Sequence, residues 1–396
     1  MLYRFLAVAL FFTNYCCWGQ QRIAGKVQDE ITKQAVPYVS ISVLGQPVGT
    51  SSNAEGDFEL TTRLPAKLVV SDLGHQRDTV LVTSAAALPL QIRLQPASVL
   101  LPEVQVGNYA GELIKKAYRQ LSQHAAYTTY GQAFYRQITK LDGDITEIQE
   151  MIWNTKSNNL GLLGTTLVQG RYGEKKSLIG YKDFSLYTKI VGISSPGSDS
   201  ASSTSIISLN AARYYELSVA GVTQNGSQQL VEINFASKPG INPRHYKGSV
   251  TIDENTNQIL RLRTETPDIH TKSNNPTFTY KDELTGFELV FQPAEDGATT
   301  LEHVKVSYQG TVNRPFKKDV QMQVTSFTYL YGASSKPSGL TYAPAAAGRS
   351  DIEDIKRTTY DAEFWKKNPV VRRTPQEEEI ISSFEKQGAF GTLFKN

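Results

Sequence analysis

Two stretches, Val36-Pro37-Tyr38-Val39-Ser40-Ile41-Ser42-Val43 and Asn53-Ala54-Glu55-Gly56-Asp57-Phe58, decide the fold class of this 396-residue chain. In the first stretch, aliphatic and polar residues alternate, which is the period-two pattern of a half-buried β-strand. In the second, Gly56 lies where a hairpin turn needs a positive φ angle, and Phe58 then points into a core. The two stretches therefore predict strands of a small β-sandwich.

Short β signals continue on both sides of these stretches, and turn residues separate them at intervals of about 8 to 12 positions. Such spacing is typical of an all-β sandwich. We predict seven strands within residues 21–97. They lie at residues 23–27, 38–43, 49–51, 58–60, 68–71, 79–82 and 91–94.

Four segments resemble the carboxypeptidase regulatory-like domain, which is a transthyretin-like (prealbumin-like) β-sandwich. The segments are Gly25-Lys26-Val27, residues 36–43, Gly49-Thr50-Ser51 and Glu55-Gly56-Asp57-Phe58. In Bacteroidetes, such modules commonly open exported and outer-membrane proteins. The resemblance implies a folding, docking or spacing role without an active site of its own. It also implies a Bacteroidetes envelope protein whose later residues form a separate C-terminal envelope domain.

Residues 1–20 have the layout of a secretory signal peptide. The apolar run at residues 5–12 is about half as long as a membrane-spanning helix needs to be. We expect this leader to be removed and the chain to be exported to the periplasm or the outer membrane. An uncleaved signal anchor and a lipid anchor on Cys16 are the alternatives. Because Cys16 and Cys17 both lie in the leader, the mature chain is expected to have no thiol.

After a linker at residues 98–108, residues 109–332 predict a larger α+β domain that is mainly β. Its first segment places apolar residues at helical spacing, which predicts a helix with one face in the core. The strand signals that follow predict a curved antiparallel sheet wrapped around this helix. This element order resembles the half-barrel of lipoprotein-carrier proteins. The helix face comprises Leu113, Ile114, Ala117 and Leu121, and the strand signals lie at residues 131–139, 145–153, 165–169, 229–235, 246–252, 259–264, 284–292, 300–309 and 321–331.

A second linker at residues 333–350 leads to a helical C-terminal tail at residues 351–396. In this tail, Thr374 and Glu377 match a capping box, and Pro375 occupies the first turn of the helix. The last apolar residues of the chain are expected to dock this tail onto the body of the protein.

The charge of the chain excludes several classes of partner. Its formal net charge is +3, and no run of Lys or Arg exceeds three residues. We therefore expect neither nucleic-acid binding nor electrostatic attachment to anionic lipid. Beyond the leader, no segment is apolar over the roughly 18 residues that a transmembrane helix requires, so we expect no such helix after leader removal.

Motifs that carry chemistry are missing or incomplete. The five histidines lack the spacing of a zinc site. The segment Gly192-Ile193-Ser194-Ser195-Pro196-Gly197 departs from a serine-hydrolase nucleophile elbow because Pro196 replaces the second glycine. Asp253-x-Asn255-x-Asn257 opens like a calcium loop, yet the glycine and the final glutamate of that loop are missing. Tyrosines are dense between residues 170 and 220, and their rings could line a sugar-binding groove. We favour the interpretation that they only pack within the structure, as tyrosines on strands commonly do.

We therefore predict no catalytic, cofactor-binding or metal-binding residues, and no cofactor. The expected function is non-catalytic binding or scaffolding in the bacterial cell envelope, with an envelope protein, a glycan or an apolar ligand as partner. One alternative is a periplasmic carrier that holds an apolar ligand in a cavity between sheet and helix. Another is a hydrolase with an active site of dispersed acids, which requires convergent titratable groups with shifted pKa values.

Overall fold

Seven N-terminal strands form a sandwich-like unit, as the sequence predicts. A computed structural model of the chain describes residues 20–84, 89–100, 108–175, 179–194, 199–271, 276–345, 350–368 and 370–392. The strands are β1 (Gln21–Asp29), β2 (Ser40–Val43), β3 (Gly49–Ser51), β4 (Asp57–Thr62), β5 (Ala66–Asp72), β6 (His75–Val82) and β7 (Leu90–Leu94). They form two sheets, of order β4-β1-β7 and β3-β2-β5-β6. Ile41, Phe58 and Leu68 are fully buried in the core of this sandwich.

Twelve strands of the remaining chain form one antiparallel sheet, which confirms the predicted fold class of the larger domain. The strands are β8 (Ser98–Leu100), β9 (Thr128–Leu141), β10 (Asp144–Asn158), β11 (Gly161–Glu174), β12 (Tyr215–Asn225), β13 (Gln228–Ser237), β14 (Lys247–Asp253), β15 (Ile259–Thr266), β16 (Thr279–Pro293), β17 (Thr299–Arg314), β18 (Lys317–Ser334) and β19 (Ala343–Pro344). Their order is β19-β11-β10-β9-β18-β17-β16-β15-β14-β13-β12-β8. Strand β18 pairs with β9, and this pairing joins the run β9–β11 to the run β12–β18.

Side chains alternate between two faces of this large sheet. On the core face, apolar residues such as Val304 and Val306 belong to the same buried cluster as helix α1 (Tyr109–Gln123). Two shorter helices, α2 (Ser185–Ile190) and α3 (Ala211–Tyr214), add residues to that cluster. Helix α1 buries the face that its periodicity predicts, namely Leu113, Ile114, Ala117 and Leu121.

The C-terminal tail packs against both faces of the large sheet. Ile355 of its first helix belongs to the core-face cluster, whereas its later helices pack on the opposite, outer face. It contains α4 (Asp351–Lys356), α5 (Ala362–Lys367), α6 (Pro375–Lys386) and α7 (Ala389–Thr392). The predicted capping box is present, because the Thr374 side chain accepts a hydrogen bond from the Glu377 backbone and the Glu377 side chain accepts one from the Thr374 backbone. Ile381 and Phe384 of α6 pack against Ile148 of β10.

Both predicted linkers contain a strand. In the linker at residues 98–108, β8 pairs with β12, and in the linker at residues 333–350, β19 pairs with β11. These strands are too short to show periodicity. Strand β12 was also missing from the predicted strands, because a register shift between Val219 and Gly221 interrupts its alternation.

The predicted signal peptide lies outside the described residues, except for Gln20. In the part of the chain that the structure describes, no helix has the length and apolar character needed to span a membrane.

Candidate functional site: the interdomain groove

A groove lies where the sandwich and the tail meet the outer face of the large sheet. We call it the interdomain groove, and its cavity volume is about 790 Å³. The sandwich contributes Tyr38, Asn53 and Ala54 to its walls, and the tail contributes Thr374 and Glu377. The floor consists mainly of polar side chains from β14 to β18. These floor residues include Lys247, Ser249, Arg263, Glu265, Glu288, Lys305, Ser307, Thr325 and Phe327.

Tyr38 forms the sandwich side of the groove with an unusual backbone conformation. Its φ angle is +59°, in the left-handed region that bulky side chains rarely adopt. Its ring centroid lies 4.7 Å from that of Phe327 in β18, and Nζ of Lys305 in β17 lies 4.1 Å from the same Tyr38 ring. Burial raises the pKa of the Tyr38 hydroxyl. Contacts across the junction therefore surround a residue whose backbone is strained.

Four charged residues meet beneath Tyr38, and we call them the Glu288 cluster: Arg263, Glu288, His303 and Lys305. Nε of Arg263 donates a hydrogen bond to the Glu288 carboxylate. Nε2 of His303 lies 3.6 Å from Oε1 of Glu288, and Nζ of Lys305 lies 3.7 Å from the same oxygen. The other ring nitrogen of His303 lies 3.4 Å from Oε1 of Glu302. The distances at His303 and Lys305 are long for hydrogen bonds, so electrostatic attraction is the main interaction there.

The pKa shifts of Glu288 and His303 favour the charged form of each, whereas burial lowers the pKa of Lys305. Burial alone would raise the pKa of Glu288, but His303, Lys305 and Arg263 hold that pKa well below its usual range. Burial alone would lower the pKa of His303, but the carboxylates of Glu288 and Glu302 raise it overall. The lowered pKa of Glu288 and the raised pKa of His303 both reflect the attraction between the carboxylate and the imidazole. The cluster is thus suited to holding opposite charges together.

Every charged side chain that lines the described groove has an opposite charge beside it. Nζ of Lys247 lies 3.4 Å from a carboxylate oxygen of Glu265. Nη1 of Arg136 lies 3.1 Å from a carboxylate oxygen of Glu377. The other charged groups of the lining belong to the Glu288 cluster. The charges along the groove therefore balance locally.

A buried ion network fixes the tail wall of the groove. The carboxylate of Glu150 accepts hydrogen bonds of 2.7 Å from Nε of Arg136 and 2.7 Å from Nε of Arg171. Burial alone would raise the pKa of Glu150, but Arg171 and Arg136 hold it well below its usual range. The guanidinium group of Arg171 lies 4.6 Å from the ring centroid of Trp365 in α5, and Arg136 bonds to Glu377 in α6. Two arginines of the sheet thereby bind two helices of the tail.

The histidines lie at separate places, each beside its own oxygen partners. Among the described residues, no group of three or more His, Cys, Asp or Glu side chains is arranged to hold a metal ion. The partners are Asp29 and Asp72 for His75, the Asp296 carbonyl for His124, Asp268 for His245, Glu283 for His270, and Glu288 and Glu302 for His303.

The dense tyrosines pack in the core, as we favoured from the sequence. Tyr172, Tyr214 and Tyr215 are buried, and their rings belong to the core-face cluster. Tyr181 and Tyr187 are partly buried, and their hydroxyl groups lie 2.8 Å apart. These five tyrosines do not line the interdomain groove.

The two incomplete motifs show no built site in the described residues. Ser194 donates a hydrogen bond to the carbonyl of Ile207, and residues 195–198 of the elbow-like segment lie outside the described residues. The carboxylate of Asp253 accepts a 3.0 Å hydrogen bond from the backbone N–H of Asn255, which is the geometry of an Asx turn.

The Glu288 cluster was missed in the sequence, although it leaves a partial signal there. His303, Lys305 and Ser307 alternate with buried valines, which marks a strand face that carries charge. The sequence does not give the register that places Lys305 opposite Glu288. Nor does it show that Tyr38 of the sandwich covers this position.

Comparison with known proteins identifies one part of the chain. Residues 23–106 match the family model of the CarboxypepD_reg-like domain, which supports such a domain at the N-terminus. Domains of this family are regulatory and non-catalytic. No curated protein matches the chain.

Two solved structures show distant similarity. A DUF1329 family protein from Desulfovibrio piger covers 59% of this chain and 96% of its own, with 11% identity and a TM-score of 0.27. The match with the tesB protein of Mycobacterium avium subs paratuberculosis covers 59% of this chain and 92% of that protein, with 8% identity and a TM-score of 0.10. Both TM-scores are too low to support a structural argument.

Proposed function

We propose that this chain is a non-catalytic binding protein of the bacterial cell envelope, and that it binds a neutral oligosaccharide in the interdomain groove. The observation that carries the proposal is the matching of charges along the lining. Lys247 is paired with Glu265, Arg136 with Glu377, and Glu288 with its two cations. A charged ligand would have to break one of these pairs, whereas an uncharged polar ligand would leave them intact.

The size and the hydroxyl groups of the groove support the same ligand class. Its volume of about 790 Å³ falls within the range of roughly 300 to 1,000 Å³ that is common for ligand sites. Ser307 and Thr325 are exposed and lie opposite each other on neighbouring strands of the floor. Each hydroxyl can donate one hydrogen bond and accept others, which suits the hydroxyl groups of a sugar chain.

The envelope location is a proposal that rests on the leader-like residues 1–20 and on the N-terminal module.

The alternative of an apolar-ligand carrier has less support. It requires an apolar cavity between the large sheet and α1, and buried side chains such as Leu113 and Ile114 occupy that contact. For the alternative of a hydrolase, the opposite charges around Glu288 and His303 account for the pKa shifts of both groups, and structural ion clusters produce such shifts as well.

Isothermal titration calorimetry with defined sugars tests the proposal. The neutral probes are cellotetraose, chitotetraose and mannotetraose, and the acidic probe is tetragalacturonate. Ser307→Trp places a bulky ring on the groove floor, whereas Gln309→Trp places the same ring two positions along β17, outside the lining. We expect at least one neutral probe to bind the wild type and the Gln309→Trp variant, and to lose about tenfold or more in affinity with Ser307→Trp.

Failure of all three neutral sugars to bind would contradict the proposed ligand class. Tighter binding of tetragalacturonate than of the neutral probes would contradict the argument from matched charges. Equal loss of affinity in both tryptophan variants would show that the sugar binds elsewhere.

A further inference from the structure

The hairpin that joins β17 to β18 ends in a fully exposed aromatic residue. Its turn is Pro315-Phe316, and the relative exposure of Phe316 is 107%. Phe316 is the most exposed large apolar residue among those described. Single exposed apolar residues are common on protein surfaces, so exposure alone carries no conclusion.

The backbone conformation of Phe316 is unfavourable for a phenylalanine, so the stability of the fold does not account for this residue at the turn. Its φ angle is +61°, and Pro315 precedes it, which fits the corner positions of a type II turn. That position favours glycine or asparagine because a Cβ atom is strained there. Phe316 therefore tolerates strain at a place where its ring has no packing to stabilise it.

Three basic residues flank Phe316 in the sequence of the hairpin. Arg314 and Lys317 form the last pair of the hairpin, and Lys318 follows. The Arg314 guanidinium donates a 3.0 Å hydrogen bond from Nε to the carbonyl of Lys318, which holds it at the tip. Asp319 is the nearest acid in sequence, and it accepts a hydrogen bond from the side chain of Asn313. Residues 314–318, which we call the hairpin tip, thus carry three positive charges and no negative charge.

The hairpin tip projects past its neighbour on one side. The turn after β9 ends beside Gln321, where the backbone N–H of Asp142 donates a hydrogen bond to the Gln321 carbonyl. Phe316 lies five residues before Gln321 in the chain, which corresponds to about 16 Å at the usual rise of a strand. The acidic turn of Asp142 and Asp144 is therefore set back from the tip.

We propose that the hairpin tip is a membrane contact that inserts Phe316 into the interface of an anionic lipid bilayer. Aromatic rings favour that interface, and basic side chains beside them are attracted to anionic headgroups. One ring and three cations give weak, reversible binding. The sequence alone argued against anionic lipid because its basic runs are short. The proposal departs from that expectation because the turn places Arg314 beside Lys317 and Lys318. This inference does not depend on what the interdomain groove binds.

Fluorescence of the full-length Phe316→Trp variant tests the proposal. The emission of the new tryptophan depends on the surroundings of position 316, even if the leader also contacts the vesicle. The probes are vesicles of phosphatidylcholine alone and vesicles with about 30% phosphatidylglycerol. The matched control is Ile31→Trp, which replaces another exposed apolar residue in a turn of the sandwich and is 72% exposed as isoleucine. Difference spectra against wild type remove the signal of the native tryptophans.

We expect a blue shift of the Phe316→Trp emission with the anionic vesicles and none for Ile31→Trp. Adding Lys317→Glu and Lys318→Glu should weaken the apparent vesicle affinity by about tenfold or more, and salt should weaken it too. No shift with either vesicle would overturn the proposal. An equal shift of the Ile31→Trp emission would also overturn it.

Discussion

The ammonium group of Lys305 lies 4.1 Å from the ring centroid of Tyr38, and this contact joins the large sheet to the sandwich. Lys305 belongs to β17, whereas Tyr38 precedes β2. A cation held over an aromatic ring contributes about 0.5 to 2 kcal/mol, with the larger values at desolvated sites. Because Lys305 also lies beside Glu288, one side chain connects the buried charges of the sheet to the wall of the groove.

Replacing Tyr38 with alanine should weaken the junction between the two β-structures. The Tyr38→Ala variant loses the ring that contacts both Phe327 and Lys305, while the backbone strain at this position remains. We expect the free energy of unfolding to fall by about 2 kcal/mol or more. Calorimetric unfolding measures this change. Tyr38→Phe keeps the ring and should stay close to the wild type, so an equal loss in both variants would contradict this explanation.

Removing the charge of Glu150 should release the C-terminal tail. In the Glu150→Gln variant, Arg136 and Arg171 remain buried without the carboxylate that both contact. Breaking such a buried network costs about 3 to 5 kcal/mol. Urea unfolding and limited proteolysis of the tail provide the measurement. Glu353→Gln removes an exposed charge that pairs with Lys356, and it should cost below about 1 kcal/mol.

Stability should depend on pH through His303. Its pKa in the folded chain is raised above the ordinary value of 6.5, so folding binds the proton more tightly. This contribution is complete below the unfolded pKa and is lost as pH rises through the folded pKa. The difference in unfolding free energy between wild type and His303→Gln should therefore shrink as pH rises above about 6.5.

The pKa of Glu288 is lowered, so that carboxylate stays charged throughout this pH range. His75 also has a raised pKa, but it is present in both proteins and cancels in the difference. His270→Gln, which replaces a 75% exposed histidine, is the control and should keep the pH profile of the wild type. A difference that is constant with pH would refute the assigned role of His303.

Substitutions at two glycines of the sandwich distinguish the cost of backbone strain from the cost of steric overlap. Gly56 and Gly45 both have a φ angle of +75°, but a Cβ atom on Gly56 would lie 2.6 Å from the Val27 carbonyl oxygen. A Cβ atom on Gly45 would meet nothing within 4 Å. We expect Gly45→Ala to cost about 1 to 2 kcal/mol from the φ angle alone, and Gly56→Ala to cost clearly more. Equal costs in urea unfolding would show that the overlap is relieved by movement.

Periodicity predicted the parts of the fold in which local pattern and tertiary packing agree. The alternation in residues 36–43 and the turn at Gly56 predicted strands that the sandwich contains, and Phe58 is fully buried as expected. The helical spacing from Leu113 to Leu121 likewise gave the buried face of α1. In these segments, each residue's own preference matches its place in the core.

The candidate site could not be predicted in the same way, because its residues come from segments that are distant in sequence. Glu288 and His303 lie on neighbouring strands, and only the register of β16 with β17 brings them together. Tyr38 reaches them because the sandwich rests on the outer face of the large sheet. A sequence pattern carries neither strand register nor the docking of two domains.

The outermost strands of the large sheet have a consequence for self-association. Strand β8 has three residues and β19 has two, and both come from segments that connect larger units of the chain. Unpaired backbone groups along a long sheet border are a template on which other copies can polymerise into fibres. These short flanking strands occupy part of each border, so they shorten the unpaired stretch to which another copy could add a strand.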